Sequence, residues 1–505
     1  MCNRLQHCTK LLAAALCLFA LPAAAQVKLP SLFSDHMVIQ RGLPVHIWGT
    51  ATAGETVHAD FRGHAADAHT DKVGAWSISL PAGDAGGPFT LTVRGANTLT
   101  FSDVLVGDIW LAGGQSNMEM PVGINPPWKM GVTNYKEELA AANYPSIRLF
   151  HVQFQHADYP QTDTVATPWT AVTPESVNGF SAVAYFFGRE VYQHEHIPIG
   201  LIESDIGGSP AEAWMSMDSL TADPALFGVF QNWAAVTDKE YLRRRKEIVT
   251  ADTDRAKGVD AAIIAGEQHR DTIFNGPAQL WNAMIAPLTP FPIKGILFYH
   301  GVANANPEDR ALAYKHLFET LILDWRKRWN EGDIPFLYVQ LQNHEAHEDL
   351  PRIREAQLQT LELPNTGMAV AVDIGDPKLY HPLDKQDVGH RLALWALATT
   401  YHQNVGEYSG PLFASAERQG QSIVVHFTHT TGGLVAKGGV LKGFEVAGAD
   451  GDFVPAQASI AGDTVVATSA KIASPQFVRY AWASNPPCPL FNGAGLPAAT
   501  FTSGK

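Results

Sequence analysis

Hydrophobic and polar positions change rhythm twice along the chain. From Val27 to about Phe101 they run as short alternating segments: Met37-Val38-Ile39-Gln40, His46-Ile47-Trp48-Gly49, Thr56-Val57-His58-Ala59, Trp76-Ser77-Ile78-Ser79-Leu80 and Phe89-Thr90-Leu91-Thr92-Val93, with Gly-rich turns between. Alternation with period two buries one face of each strand and leaves the other in water, which predicts a small β-sandwich. Near Val104 the pattern changes, and an apolar strand from Val104 to Ala112 runs into Gly113-Gly114. Further strand-like runs, Ile199 to Ile202, Gly295 to Tyr299, Phe336 to Leu341 and Met368 to Val372, alternate with helical stretches at Val183 to Glu195, Ala311 to Trp329 and Lys385 to Thr399. That order predicts an α/β core, a parallel sheet covered by helices on both faces. Residues 218–275 are charged and Ala-rich, contain Arg243-Arg244-Arg245 and show no strand signal, so they read as a helical surface insertion. After about Gly406 the β pattern returns in Ser422 to Phe427, Thr464 to Thr468 and Gln476 to Trp482, a second β module.

The N-terminus follows a different logic. Arg4 and Lys10 form a positive region, Leu11 to Leu21 an apolar one, and Ala23-Ala24-Ala25 a small-residue cleavage site before Gln26. These are the three parts of a secretory signal, and the apolar run is shorter than the ~20 residues of a spanning helix. The expected organisation is a signal peptide over 1–25, a β-sandwich over 26–103, an α/β domain over 104–404 with an insertion at about 218–275, and a β module over 405–505. Export places the protein in a periplasm or outside the cell.

Cysteine and charge counts narrow the chemistry. Cys2, Cys8 and Cys17 lie in the signal, so Cys488 is left alone, which excludes an internal disulfide and a cysteine-based metal centre. The balance of 36 Lys+Arg against 50 Asp+Glu, a net charge of −14, argues against nucleic acid as partner. No further apolar run of spanning length occurs.

The segment richest in chemistry is Gly107-Asp108-Ile109-Trp110-Leu111-Ala112-Gly113-Gly114-Gln115-Ser116-Asn117-Met118-Glu119-Met120. A serine directly after a strand and two glycines can sit in a tight turn at the carboxyl end of the sheet, where open α/β folds hold their ligands. It is not the Gly-x-Ser-x-Gly elbow, because Met118 occupies the last position.

The block Gly114-Gln115-Ser116-Asn117-Met118 resembles the first block of the sialate O-acetylesterase group of SGNH hydrolases. Three further blocks are similar in the same order: Gly207-Gly208-Ser209-Pro210-Ala211-Glu212-Ala213-Trp214, Tyr299-His300-Gly301-Val302-Ala303-Asn304, and His381-Pro382-Leu383-Asp384-Lys385-Gln386 followed by Val388-Gly389 and Arg391-Leu392-Ala393-Leu394. The resemblance implies an SGNH (flavodoxin-like) parallel sheet flanked by N- and C-terminal β-sandwich modules. It also implies a serine esterase that removes acetyl groups from carbohydrate hydroxyls without metal or cofactor, acting on sialate esters or acetylated plant polysaccharide. Acyl transfer needs a nucleophile, a base and donors for the oxyanion. Ser116 supplies the first and one backbone donor, His381 the second, and a backbone N–H of Gly207 or Gly208 a further donor. The resemblance assigns a third donor to Asn304. Trp214 reads as core packing.

Two departures from the family pattern concern acids. Leu379 and Lys378 stand two and three residues before His381, where relatives often carry an acid, and Val302 replaces the usual glutamate of the third block. Asp376 is the first substitute for a histidine-orienting acid, with Asp373 and Asp384 behind it and a Ser-His dyad as the other option. The same departures support a competing reading, a carbohydrate-binding protein on a decayed esterase scaffold.

Overall fold

Seven strands form the central sheet: β1 (Thr98–Gly114), β2 (Tyr144–Val152), β3 (Ala166–Val172), β4 (Ile199–Asp205), β5 (Gly295–Tyr299), β6 (Phe336–Gln340) and β7 (Thr366–Val370), in the spatial order β7-β6-β5-β1-β4-β2-β3. Neighbours are parallel except β2 and β3, which are antiparallel. The computed structural model describes residues 26–238, 275–345 and 348–504. The expected signal segment and most of the expected insertion, including Arg243-Arg244-Arg245, lie outside the described residues. Residues 218–238 of that insertion are mainly helical and contain no strand.

Helices cover both faces of the sheet. In β5, Phe298 meets Trp325 of α3 (Glu308–Trp329) at 5.7 Å, whereas its neighbour Tyr299, on the opposite face, lies 5.3 Å beneath Lys385 of α5 (Lys385–Trp395). Consecutive residues of a strand point to opposite sides, so one dipeptide reports two layers. The helix α2 (Ala182–Glu195) shares the α5 face, where Phe187 packs on Trp110 at 4.8 Å, and α4 (Leu350–Gln359) packs along α3. Strands β4, β5 and β6 are buried throughout, which is why they read as unbroken apolar runs. Among the described residues no helix is long and apolar enough to cross a membrane.

The first change of rhythm in the sequence falls inside a single strand. Residues 98–103 of β1 alternate between exposed and half-buried, and every residue from Val104 to Gly114 is buried. Its first half pairs antiparallel with Gly86–Arg94 in the N-terminal module, and its second half lies between β5 and β4 in the core. The expected border at 103/104 therefore marks where one strand passes from one-sided to two-sided burial. The N-terminal module adds a hairpin-like pair, Pro44–Thr50 with Ala75–Pro81, facing a sheet built on Thr56–Phe61. Val45, Ile47, Ile78 and Leu80 from one layer and Val57, Phe61, Leu91 and Val93 from the other are buried between them. The C-terminal module holds two four-stranded sheets around its own core of Val425, Phe444, Val446, Val465, Tyr480 and Phe501.

Candidate active site

Ser116 stands where β1 ends. Gly114 adopts φ 132°, and a Cβ there would collide with the Tyr299 carbonyl oxygen of the adjacent strand, so only glycine lets the chain leave the sheet at this point. Gln115 is extended, and Ser116 opens the single-turn helix α1 (Ser116–Glu119). The Gln115 side chain then joins two other segments: its Nε2 donates to the Ser209 carbonyl at 2.5 Å, and its Oε1 accepts the Gly301 N–H at 3.2 Å. His300 also donates to the Ser209 carbonyl, through Nε2 at 3.0 Å. Burial pushes this imidazole down to about 3, so it is neutral, and its Nδ1 accepts from the Tyr314 hydroxyl at 3.1 Å. Asn304 completes the tie: its Oδ1 accepts from the Ala211 N–H and its Nδ2 donates to Glu212, both at 2.9 Å.

Across the cleft, His381 comes from the loop before α5. Its Nε2 lies 2.8 Å from Ser116 Oγ, a contact between residues 265 positions apart. Gln342 holds the preceding residue by donating to the Tyr380 carbonyl at 3.2 Å, and Gln342 itself accepts from the Tyr299 hydroxyl at 2.7 Å. Trp128 packs edge-on to the imidazole at 4.8 Å. Burial, then the nearby Lys385 ammonium and His344, push His381 down to about 4. Lys385 is fully buried, donates to Asn117 Oδ1 at 2.6 Å and is itself pushed down to about 7 by desolvation.

The structure does not bring the expected acid to His381. Asp376 uses Oδ1 to accept the backbone N–H groups of Lys378 (2.7 Å) and Leu379 (3.1 Å), closing its own turn. Asp373 forms a two-pronged pair with Arg391 at 2.6 and 2.9 Å, and Asp384 caps α5 by accepting from the Asp387 N–H at 3.0 Å. Among the described residues, His381 Nδ1 has no hydrogen-bond partner. The glycine pair is also divided in its use. Gly207 donates its N–H to Glu119 Oε2 at 2.7 Å, whereas the N–H groups of exposed Gly208, at φ 73°, and of Ser116 have no partner among the described residues.

Sequence reasoning missed the carboxyl cluster under this site. Glu203 and Asp205, two apart on β4, lie on one side of the strand beneath α1, and Glu119 approaches them from above. Among the described residues Glu203 accepts the Ser181 N–H at 3.0 Å and stands 4.0 Å from the His151 ring, and neither oxygen of Asp205 has a hydrogen-bond partner. Desolvation raises both carboxyls above the ordinary range, Glu203 to about 8 against the opposing Ser181 bond and with the Glu119 carboxyl adding to it, and Asp205 further through repulsion from Glu203 and Glu119. The sign for stability follows directly. Below the ordinary carboxylate range both folded and unfolded chains are protonated and nothing is lost. As pH rises, the unfolded chain ionises first, so stability declines until the folded value is passed. Thermal melts should therefore show Tm falling from pH 5 to pH 8. Glu203→Gln should flatten that decline and raise Tm at pH 8 by about 2–4 °C. A slope unchanged by the substitution would mean that Glu203 is ionised in the fold.

The chain is similar to several known proteins. The sequence model of the family described as "Carbohydrate esterase, sialic acid-specific acetylesterase" matches residues 264–396. The sialate O-acetylesterase of Pongo abelii is 30% identical over 93% of this chain and 91% of its own length, and that of Rattus norvegicus 30% over 94% and 93%. The crystal structure of a carbohydrate acetylesterase from Xanthomonas citri superposes with a TM-score of 0.80 at 36% identity, covering 95% of this chain and all of that one. The chain thus belongs to the sialate O-acetylesterase family of carbohydrate esterases and is a carboxylic ester hydrolase.

Proposed function

We propose that the protein is exported and hydrolyses O-acetyl esters on carbohydrates through an acetyl-enzyme formed on Ser116. The observation that carries this reading is the 2.8 Å contact between Ser116 Oγ and His381 Nε2 at the carboxyl end of the sheet. Ser116 Oγ attacks the acetyl carbonyl carbon while His381 takes its proton, and the same histidine returns that proton to the departing sugar oxygen. Water then repeats the sequence and releases acetate. The N–H groups of Ser116 and Gly208 face no competing acceptor among the described residues and serve the oxyanion. The remaining hydrogen of the Asn304 carboxamide is a third donor. Among the described residues no carboxylate is hydrogen-bonded to His381, so in this reading the pair works as a dyad whose imidazole is held by Trp128 and by the anchored Tyr380 carbonyl.

A cavity of about 190 Å³ opens beside Gly208, lined by Pro210, Glu212, Asn275, Ala303 and Arg310 among others. Arg310 donates to Glu212 at 2.7 Å, so the cation at this wall is already neutralised. That pairing favours an uncharged acetylated sugar over an anionic sialate. Acetate released from acetylated neutral oligosaccharides and from O-acetyl sialic acid, each with a Ser116→Ala control, tests the reading. Faster turnover of the sialate would reverse the substrate assignment, and no Ser116-dependent release from either would remove the esterase mechanism.

The lowered His381 value sets an acid limb. The base must be neutral, so kcat/KM should rise with pH through about 4 and level off by pH 6, against the ordinary imidazole value of 6.5. A limb centred near 6.5 would show that the imidazole is not desolvated in the working enzyme.

A further inference from the structure

Glu119 is the acidic residue closest in sequence to the nucleophile, three positions on and at the far end of the same helical turn. Its carboxyl is half-buried, yet the fold spends a backbone donor on it. Gly207, one of the two glycines facing Ser116, gives its N–H to Oε2 at 2.7 Å. The fit is close on both sides: a Cβ on Gly207 would stand 2.9 Å from that oxygen and 3.2 Å from Ser116 Cβ. The peptide entering Gly207 is therefore threaded between nucleophile and carboxyl, with no room for a side chain. On its other flank Glu119 meets the Trp128 side chain, the same indole that packs edge-on against His381. Beneath it stand Glu203 and Asp205, whose carboxyls are raised by burial and by the neighbouring Glu119 carboxyl.

We propose that Glu119 is a positioning residue for acyl transfer: by accepting the Gly207 N–H it fixes the Ile206–Gly207 peptide, and so aims the next N–H, that of Gly208, at the acyl oxygen bound to Ser116. A carboxylate acceptor makes this a charge-assisted hydrogen bond, shorter and stronger than a neutral one. The consequence is geometric. Gly208 has φ 73° in an exposed turn with open space around it; Ser209 closes the turn through Oγ to the Ile206 carbonyl at 2.7 Å, and the Gly207 N–H bond to Glu119 is what ties the peptide just before Gly208 to the helical turn that carries the nucleophile. Oxyanion donors act only when preorganised within a few tenths of an ångström of their target, so losing the anchor costs rate rather than binding. The inference rests on the Ser116 reading given above and adds the residue that holds one of its donors in place.

Three substitutions separate acceptor, charge and reach. Glu119→Ala removes the acceptor, Glu119→Gln keeps an acceptor oxygen at the same reach without charge, and Glu119→Asp keeps charge but withdraws it by one methylene. Acetyl ester hydrolysis at pH 7, with kcat, KM and Tm measured for each, should show Glu119→Ala and Glu119→Asp lowered about 10- to 100-fold in kcat with KM within about twofold. Glu119→Gln should stay within about threefold of the parent. Rescue by glutamine but not by aspartate is a pattern that a merely structural carboxylate does not produce, and if the alanine variant fails to fold, the Gln/Asp contrast still decides. Parental or raised kcat in Glu119→Ala or Glu119→Asp, or an equal fall in all three, overturns the proposal. Loss of activity in Ser116→Ala alongside parental Glu119 variants would overturn this inference alone. Retained activity in Ser116→Ala would overturn the reading beneath it.

Discussion

Ser116→Ala is expected to lower kcat for acetyl ester hydrolysis by a factor on the order of a millionfold, as loss of a serine nucleophile does in enzymes of this type. The substitution deletes one oxygen whose hydrogen bond to a protein side chain is the one to His381. It opens no cavity of consequence, because the Ser116 side chain is only part-buried and alanine is a good helix former at this first helical position. Chemical denaturation should therefore give an unchanged midpoint beside the collapse in rate. Residual acceleration over water is still expected, since the Ser116 and Gly208 N–H groups and the neutral His381 remain in place. A variant that keeps parental turnover would place the nucleophile elsewhere and leave the 2.8 Å contact without a chemical role. A variant that loses turnover together with its folded state would not discriminate, so the denaturation midpoint is part of the result.

Some of this site was legible in the sequence, and the reason is chemical. Ser116, Gly207 and Gly208 lie in short blocks just after strand ends, where a packed sheet fixes the backbone, whereas the roles of Asn304 and His381 were suggested by the resemblance of their blocks to those of the family. The four blocks were separable as motifs, but the bonds that join them were not. Gln115, His300 and Asn304 spend their side chains on Ser209, Ala211 and Glu212, partners nearly a hundred residues away, and no local pattern encodes such a distance. Glu119 was visible as a lone charge between two methionines, but its acceptor role depends on where the Gly207 peptide passes. The same limit explains the strands that were missed. In β2, Arg148 interrupts the apolar run, because its guanidinium is buried against Asp103 at 2.7 Å, and β3 buries only Trp169 and Val172, three apart and so out of step with an alternating pattern. The helix α4 was hidden for a related reason: Arg354 sits on its buried face, donating to the Leu341 and Gln342 carbonyls. Buried arginines mimic surface residues in any hydrophobicity pattern.

His381→Ala should lower kcat by a factor on the order of 10⁴–10⁶, and the contrast with its acidic neighbours is the sharper test of a dyad. If no carboxylate orients the imidazole, asparagine at each candidate position should leave the rate per folded molecule nearly parental, and each should show a different stability signature. Asp376→Asn keeps an oxygen able to accept from Lys378 and Leu379, so both rate and Tm should hold. Asp384→Asn keeps a good helix cap and should be nearly silent. Asp373→Asn breaks a buried two-pronged pair with Arg391 and leaves that guanidinium with Asp387 at 3.2 Å as its carboxylate partner, an effect of about 1–3 kcal/mol on stability. Its Tm should fall while kcat, normalised to folded enzyme, stays within about threefold. This ordering comes from what each carboxylate touches, not from its distance in sequence to His381. A drop in kcat of several orders of magnitude in any one of the three, with its melting temperature preserved, would show that the carboxylate reaches Nδ1 during turnover, and the imidazole would then belong to a triad assembled on substrate binding.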